Sequence, residues 1–344
     1  MAPISEQNFI NILLYAWRLY PWPSITINAG KNKSIEPFQI LAKIVYLAAL
    51  GIEKQGFKRN YTTTQEVTLL PKGRINFGQS IQLRASGNNA LSIEYDEFSS
   101  NCLENQVLLW VINKVSKLEK IGGKLKQSLS LLERRIPASL PNNISRRDLR
   151  LLSRNNRNRN YKLIFSVADL LSDKMLFNAT DASNEFSITD DKRSLETIFE
   201  SFLREFYRHN VKGMRISGRK YEWGNHPSGI IPELKTDINL NDDESTLIID
   251  AKYTPDVLKK NQSEKLKLDS GHLYQIMAYL LAEKRKHPEK RVRGTLIYPL
   301  FSHPVDEYIS QPLGENDVDY IRIKTVDLKQ SWEDLCSELL GIID

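Results

Sequence analysis

With 344 residues, of which 41% are hydrophobic and 26% charged, the chain has the composition of a soluble globular protein and enough length for two domains. It has no run of about 18 apolar residues and no basic start before an apolar stretch, which argues against a transmembrane helix, a membrane partner or a secretory signal. Its two cysteines exclude a disulfide framework and a four-cysteine zinc site and favour a cytoplasmic location, while the net charge of +6 permits an anionic partner.

The first half of the chain is predicted to contain both helices and strands. Residues 60–84 alternate like strands, and residues 141–162 are predicted to form a basic loop. Residues 178–193 are polar and lack periodicity, so we place a boundary there, between an N-terminal domain (1–185) and a C-terminal domain (186–344). Apolar spacing predicts helices at 8–20, 36–55, 101–119, 125–137 and 162–172.

The second half begins with the clearest amphipathic helix of the chain, at 194–209, where apolar residues recur at the i, i+3, i+4, i+7 spacing. It is followed by a hairpin over 233–252, a lysine-rich connector at 254–269, a helix after Ser270, and strands at 292–298 and 319–326. The order of helix, strands, helix and strand predicts a mixed α/β fold for the C-terminal domain, preceded by a mixed α/β N-terminal domain.

The hairpin predicted over residues 233–252 carries the residues most indicative of function. A turn-forming cluster at 241–245 separates two apolar runs, one with Asp237 and one that ends in Asp250 and Lys252. Side chains alternate faces along a strand, so Asp250 and Lys252 point to the same side, and Asp237 on the neighbouring strand can meet them. Charged groups at the end of an apolar run cost free energy unless they have a partner or a task.

Two carboxylates and a lysine that converge at a sheet edge suit a hard divalent cation and an attacking water. We therefore predict a site for Mg²⁺, with Mn²⁺ as a substitute, formed by Asp237, Asp250 and the backbone carbonyl of Ala251. The alternative is purely structural: Asp237 would end a turn, and Asp250 would form an ion pair with Lys252. On spacing alone the two interpretations are equally good.

The same residues resemble the signature of PD-(D/E)xK nucleases. Asp237 is followed thirteen residues later by Asp250-Ala251-Lys252, although Thr236 takes the place of the signature's proline. More narrowly, the chain is similar to McrC-type subunits of McrBC restriction systems, and the likeness covers nearly the whole chain. The similar strings are Asn11-Ile-Leu-Leu-Tyr-Ala-Trp17, Lys72-Gly-Arg-Ile75, Asn160-Tyr-Lys162, Thr236-Asp-Ile, Ile249-Asp-Ala-Lys-Tyr253, Leu273-Tyr-Gln275-Ile-Met-Ala-Tyr279 and Leu296-Ile-Tyr-Pro299.

This resemblance implies a restriction-endonuclease-like core in the C-terminal domain and hydrolysis of DNA phosphodiester bonds. Lys252 would lie beside the scissile phosphate, where its ammonium group orients the water and offsets charge in the transition state. Glu200, on the first core helix, would reach a water at the metal, and Gln275 would accompany the lysine. The plain alternatives are a solvated helix face for Glu200 and a surface amide for Gln275.

Three further polar residues near these positions are not assigned a role. Glu196 lies one turn before Glu200 and competes with it for the same function. Glu233, four residues before Asp237, either assists the metal or faces solvent. His272 is left out of the site, because a lone histidine is more often structural.

The family also implies a division of labour with a second protein. The chain lacks the Gly-x-x-x-x-Gly-Lys-Ser/Thr motif of NTPases, which fits a family in which a separate McrB-like AAA+ GTPase reads the modified base and translocates DNA. The expected partners are therefore double-stranded DNA carrying modified cytosine and an McrB-like GTPase oligomer, which the N-terminal domain would contact and stimulate. Two alternatives stay open: a stand-alone nuclease, and a non-catalytic adaptor that activates a GTPase.

Two basic stretches are candidates for contacts with these partners. The arginines between residues 146 and 162 could touch DNA phosphates or an acidic protein surface. The lysines between residues 259 and 267 follow the hairpin directly and are the better candidates for DNA. A run of like charges is also common on a surface that only faces water, so both assignments are expectations.

Overall fold

The computed structural model describes residues 3–22, 37–118, 121–178, 192–223, 233–255, 257–260, 266–310, 313 and 320–343. The helices are α1 Glu6–Ala16, α2 Pro37–Gln55, α3 Phe77–Ala85, α4 Leu103–Ser116, α5 Gly123–Glu133, α6 Arg146–Asn155, α7 Arg159–Asn178, α8 Lys192–Asn210, α9 Ser270–Lys286 and α10 Trp332–Leu340. The strands are β1 Asn60–Thr68, β2 Arg74–Ile75, β3 Leu91–Ser99, β4 Arg215–Ser217, β5 Lys220–Tyr221, β6 Leu234–Lys235, β7 Ile238–Asn241, β8 Ser245–Ala251, β9 Leu258–Lys260, β10 Leu266–Leu268, β11 Arg291–Pro299, β12 Asp306–Ser310 and β13 Tyr320–Val326. Within these described ranges, no helix is long and apolar enough to cross a membrane.

The chain divides into two compact units. One consists of Phe38–Phe186, and the other combines Met1–Pro37 with Ser187–Asp344. The later boundary lies inside the 178–193 region that the sequence suggested, most of which is outside the described residues. The unit Phe38–Phe186 is shorter than the predicted 1–185 domain, because helix α1 belongs to the other unit.

The unit Phe38–Phe186 joins a small antiparallel sheet to a group of helices. Its three strands lie in the order β1-β3-β2, and β1 pairs with β3 from Asn60 opposite Ser99 to Thr68 opposite Leu91. Helix α4 packs against α5 and α7. The helical core is apolar and fully buried, as at Val111 and Leu163.

One correction in this unit concerns the second half of the predicted strand region, 60–84. Residues 77–85 form helix α3 instead, because the Asn76 side chain accepts a hydrogen bond from the amide of Gln79 and so caps the first turn. The alternation of apolar and polar residues there misled the prediction. Only Ser80 of this helix is buried, so its apolar residues do not mark a core-facing stripe.

The second correction concerns the predicted basic loop, 141–162, most of which is helical. Ser145 and Asp148 form a capping box, in which each side chain accepts a hydrogen bond from the backbone amide of the other residue, and helix α6 starts there. Leu149 is the buried residue of this helix, and its other residues are polar apart from Leu151 and Leu152. The high arginine content therefore reflects an exposed helix face and not an irregular segment.

The unit formed by Met1–Pro37 and Ser187–Asp344 is built on a six-stranded mixed sheet in the order β12-β13-β11-β8-β7-β4. Strands β8, β11 and β13 are parallel to one another, while β7 and β8 form the predicted antiparallel hairpin. Helices α1, α8 and α10 supply apolar residues to one core, which includes Ile249 of β8. Helix α9 packs on a second core, which includes Ile248. Because the adjacent residues Ile248 and Ile249 belong to different cores, helices cover both faces of β8.

Several elements of this unit lie outside the sequence-based prediction. Strand β12 and helix α10 were not predicted, and the described parts of the 254–269 connector contain the antiparallel pair β9 and β10. Strand β12 is short, lies at the edge of the sheet, and has no buried residue. A strand of this kind has no buried face and therefore leaves no hydrophobic alternation in the sequence.

Replacing Asn8 by alanine should destabilise the unit formed by Met1–Pro37 and Ser187–Asp344, because the buried Asn8 side chain anchors α1 to the rest of that unit. Asn8 Nδ2 donates to the carbonyl oxygens of Leu328 and Gln330, both at 2.9 Å. Asn8→Ala would remove both hydrogen bonds, each worth about 0.5–1.5 kcal/mol, although the Leu328 carbonyl would still accept from the Ser5 amide at 3.1 Å. We expect a loss of stability of this size in urea denaturation, whereas Gln7→Ala on the same helix should cost less. Equal stability of Asn8→Ala and wild type would contradict the anchoring role.

Candidate active site

The β7–β8 hairpin places two aspartates opposite each other. The register pairs Ile238 with Ile249, and continued by one residue it sets Asp237 against Asp250. Directly opposed residues of an antiparallel pair share a face of the sheet. The predicted meeting of the two carboxylates therefore follows from the observed register.

Asp250 and Lys252 form a buried ion pair at the end of β8. The Lys252 Nζ lies 2.9 Å from Asp250 Oδ2, and the two side chains are only 13% and 1% exposed. The backbone beyond β8 is held by the neighbouring strand, because the Lys252 amide donates to the Ile297 carbonyl at 2.9 Å. The amide of Ala251 donates to Asp237 Oδ2 at 3.0 Å and ties the two strands of the hairpin together at this point.

The pKa values of the two aspartates are both raised. Burial raises the pKa of Asp237, and the nearby carboxylates of Asp250 and Glu200 raise it further. Burial also raises the pKa of Asp250 above its ordinary value, although Lys252 acts in the opposite direction. Burial lowers the pKa of Lys252, but the attraction of Asp250 outweighs it, so the net shift is upward and Lys252 is held as an ammonium ion.

This arrangement fits a hard divalent cation. Asp250 Oδ1 is buried and accepts no hydrogen bond from the described residues, so one oxygen has lost its water without gaining a donor. Within the described ranges, no group of three or more histidine, cysteine, aspartate or glutamate side chains is placed to hold a metal. Two carboxylates suit Mg²⁺, because this ion usually keeps several waters and is bound through one or two carboxylates plus substrate phosphates.

Gln275 lies on helix α9 and is held by a neighbour on the same face. Its Nε2 donates to Tyr279 Oη at 2.7 Å, and Tyr279 donates in turn to the Lys235 carbonyl at 2.8 Å. Burial raises the pKa of Tyr279, and Asp250 and Asp237 contribute to the increase. Gln275 is therefore hydrogen-bonded to a tyrosine that lies within electrostatic reach of both aspartates, and its amide is not a free surface group.

The glutamates predicted near the site separate into two groups. Glu200 and Glu196 on α8 both raise the pKa of Asp250, so both lie within electrostatic reach of it. Glu200 also pairs with Arg204 at 2.9 Å along the helix. Glu233 is half exposed and pairs with Lys220 at 2.6 Å. Of its two predicted positions, at the metal or facing solvent, this contact corresponds to the second.

His272 lies closer to the site than the sequence suggested. Its Nδ1 is 2.9 Å from the hydroxyl of Tyr298, which is buried on β11. Burial raises the pKa of Tyr298, and Asp250 adds to the increase, so this pair borders the carboxylates. His272 therefore contacts a buried tyrosine that lies within electrostatic reach of Asp250.

Comparison with known proteins identifies the family. The profile of the family described as McrBC 5-methylcytosine restriction system component matches residues 6–299, which include the hairpin and Gln275. The chain belongs to this family. The resemblance to McrC-type subunits of McrBC systems that the sequence motifs indicated is thereby confirmed.

The McrBC assignment is supported by individual relatives. The chain is 24% identical over 348 residues to the type IV methyl-directed restriction enzyme EcoKMcrBC of Escherichia coli strain K12, which covers 99% of this chain and 97% of that protein. Its fold is similar to a half-complex from the tetradecameric assembly of Thermococcus gammatolerans McrB AAA+ hexamers with bound McrC. That match has a TM-score of 0.53 and 14% identity over 98% of this chain and 76% of the other. The predicted mixed α/β fold is confirmed.

Sequence reasoning missed a set of buried polar residues around Glu283 of α9. Glu283 of α9 is fully buried and bonds to Arg219, Tyr221 and Thr246. A signal did exist, since Gln275, Tyr279 and Glu283 follow each other at intervals of four on one helix face. An acidic residue on such a face is noticeable only once the inward side of the helix is known.

Proposed function

We propose that this chain is the endonuclease subunit of a GTP-dependent restriction complex that cleaves DNA carrying modified cytosine. The observation that carries this proposal is the opposition of Asp237 and Asp250 on one face of the sheet, with Lys252 paired to Asp250 at 2.9 Å. Membership of the McrBC family supports the choice of DNA as substrate. Cleavage of a plasmid with modified cytosine by the chain and its partner, with GTP and Mg²⁺, tests it directly.

The residues of the site divide the work. Asp237, Asp250 and the carbonyl of Ala251 would hold Mg²⁺, which when bound would activate a water and neutralise phosphate charge. Lys252 is held as an ammonium by Asp250 and would offset the charge that develops on the phosphate. Glu200, whose carboxylate raises the pKa of Asp237, and Gln275, which is bonded to Tyr279, would orient water and the lysine head group.

We assign partner binding to the unit Phe38–Phe186. This unit exposes several large apolar side chains between residues 61 and 98, which we call the β1–α3 apolar surface: Tyr61, Val67, Leu69, Leu70, Phe77, Ile81 and Phe98. Tyr61 and Phe98 contact each other, with ring centroids 5.2 Å apart, and apolar side chains that cluster on a surface mark an interaction site. The similar archaeal structure holds McrC bound to McrB AAA+ hexamers, which makes an AAA+ GTPase the partner that best fits this surface.

The metals that support cleavage should be those that suit a site made of oxygen ligands. Mg²⁺ or Mn²⁺ should support cleavage, whereas Ca²⁺ should bind without efficient turnover, because its larger and more flexible coordination sphere positions the reacting groups poorly. The measurement is nicking of modified plasmid by the assembled complex in each metal, after treatment with a chelator. A requirement for tightly bound zinc would contradict the proposed site.

A further inference from the structure

Next to the proposed metal site, α9 carries a carboxylate that is fully removed from water. Glu283 accepts hydrogen bonds from Arg219 Nη1 at 2.7 and 2.9 Å, from Tyr221 Oη at 2.7 Å and from Thr246 Oγ1 at 2.9 Å. Burial raises the pKa of Glu283, but the Tyr221 and Thr246 hydroxyls and Arg219 outweigh it, so the net shift is downward. The carboxylate is therefore held ionised inside the protein, which requires complete hydrogen bonding.

The hydrogen bonds continue from Glu283 to the strand that carries Asp237. Tyr221 Oη accepts from Asn239 Nδ2 at 2.9 Å, and Asn239 Oδ1 accepts from the Thr236 hydroxyl. The Thr236 amide donates to the Arg219 carbonyl at 3.0 Å, and the Arg219 amide donates to Thr236 Oγ1 at 2.9 Å. Residue 236 is thus fixed through both its backbone and its side chain, one position before Asp237.

The network lies on the same face of the sheet as the two aspartates. Asn239 follows Asp237 by two residues, and Thr246 precedes Asp250 by four, so side-chain alternation puts all four on one side. Helix α9 covers this side and contributes Tyr279 as well as Glu283. One helix therefore holds both the backbone at residue 235, through Tyr279, and the network that fixes residue 236.

We propose that Glu283 and Arg219 are positioning residues for Asp237, and that their ion pair sets the affinity of the metal site. This inference rests on the proposed function, since it takes Asp237 as a metal ligand. Groups that orient metal ligands typically change metal affinity or activity by about 10–100-fold when they are replaced. Glu283 does not touch the carboxylate pair, so its effect passes through Tyr221, Asn239 and Thr236.

The test compares metal binding with catalytic capacity in Glu283→Gln. Mn²⁺ binding to the full chain is measured by electron paramagnetic resonance, and the Mg²⁺ dependence of plasmid nicking is measured in the assembled complex. We expect at least about tenfold weaker Mn²⁺ binding and a matching increase in the Mg²⁺ concentration for half-maximal cleavage. Most of the maximal rate should return at saturating Mg²⁺. Wild-type Mn²⁺ affinity in a folded Glu283→Gln protein would overturn the inference.

Asp306→Asn is the matched control for general damage to the sheet. Asp306 also pairs with an arginine through two hydrogen bonds, from Arg322 at 2.9 and 3.0 Å, but on the edge strand β12, where its side chain is 39% exposed. We expect it to leave Mn²⁺ affinity unchanged whatever it does to thermal stability. A parallel loss of affinity in Asp306→Asn would show that destabilisation alone weakens the site, and would also overturn the inference.

Tyr221→Phe provides a milder second variant. It keeps the Arg219–Glu283 pair and removes the hydroxyl that links Glu283 to Asn239. Weaker Mn²⁺ binding is again expected, and unchanged binding counts against the inference even if Glu283→Gln fails to fold. Failure of the proposed function looks different: wild-type chain would bind no more Mn²⁺ than Asp250→Ala.

Discussion

Replacing Asp250 by alanine is expected to abolish DNA cleavage by the assembled complex. Asp250 is buried, faces Asp237 across the hairpin and holds Lys252 at 2.9 Å, so its removal takes away a metal ligand and the anchor of the lysine together. We expect a loss of more than about 100-fold in the rate of plasmid nicking, beyond the range typical of groups that only orient metal ligands. Asp237→Ala and Lys252→Ala should have effects of similar size.

The fold of Asp250→Ala should survive. Burial raises the pKa of Asp250 above its ordinary value, so at neutral pH this side chain weakens the folded state relative to the unfolded chain, where the carboxylate is ionised at no cost. Its removal relieves this unfavourable interaction, while Lys252 loses a partner but keeps the attraction of Asp237. Because the two effects oppose each other, thermal denaturation without metal should change by only a few degrees at most.

Asp243→Ala is the matched control for this experiment. It makes the same chemical change in the same hairpin, but at an exposed position in the turn. Cleavage, metal dependence and stimulation of the partner GTPase should all stay at wild-type levels. Full cleavage by purified Asp250→Ala protein with its partner would remove the basis of the nuclease assignment.

The hairpin was predictable because all of its signals are local. Alternating apolar residues, a polar turn and the short spacing from Asp250 to Lys252 specify the strands, their faces and their meeting point within twenty residues. The resemblance to McrC-type subunits then added Gln275 and Glu200. In the structure, the Glu200 carboxylate raises the pKa of Asp237, and Gln275 donates a hydrogen bond to Tyr279, whose pKa is raised by both aspartates.

The network around Glu283 could not be predicted, because its members are far apart along the chain. Arg219 and Glu283 are separated by 64 residues, and no local sequence pattern around either residue indicates that the two form a pair. The attachment of α1 is similar, since Asn8 bonds to a carbonyl 320 residues away. Periodicity shows which face of a helix is buried, but which buried polar groups meet is decided by the tertiary fold.

A double substitution, Leu69→Ser with Leu70→Ser, is expected to remove stimulation of the partner GTPase while leaving the nuclease site intact. These two side chains are 73% and 78% exposed and are the most exposed large residues of the β1–α3 apolar surface. Burying a leucine in an interface contributes at least about 1.5 kcal/mol, so the pair accounts for about 3 kcal/mol, or more than a hundredfold in the dissociation constant. GTP hydrolysis by the partner is measured against the concentration of added chain.

Leu131→Ser provides the control for loss of a surface leucine. Leu131 is 61% exposed on α5 of the same unit, outside the β1–α3 apolar surface, and its replacement should leave stimulation unchanged. The double variant should still bind Mn²⁺ like wild type, because the carboxylates belong to the other unit. GTPase stimulation without cleavage in any metal would favour the adaptor, and robust cutting without partner or GTP would favour the stand-alone nuclease.

Point substitutions test this division of labour better than deleting the N-terminal domain as residues 1–185. Such a deletion would also remove α1, whose Ile12 and Tyr15 lie in the same core as Phe202 of α8 and Ile249 of β8. Loss of both activities would then follow from damage to the unit that carries Asp237 and Asp250. The double leucine variant leaves that core untouched, so we expect the partner's GTP turnover to fall to its basal rate while Mn²⁺ binding persists. Wild-type stimulation by the double variant would place the docking surface elsewhere on the chain.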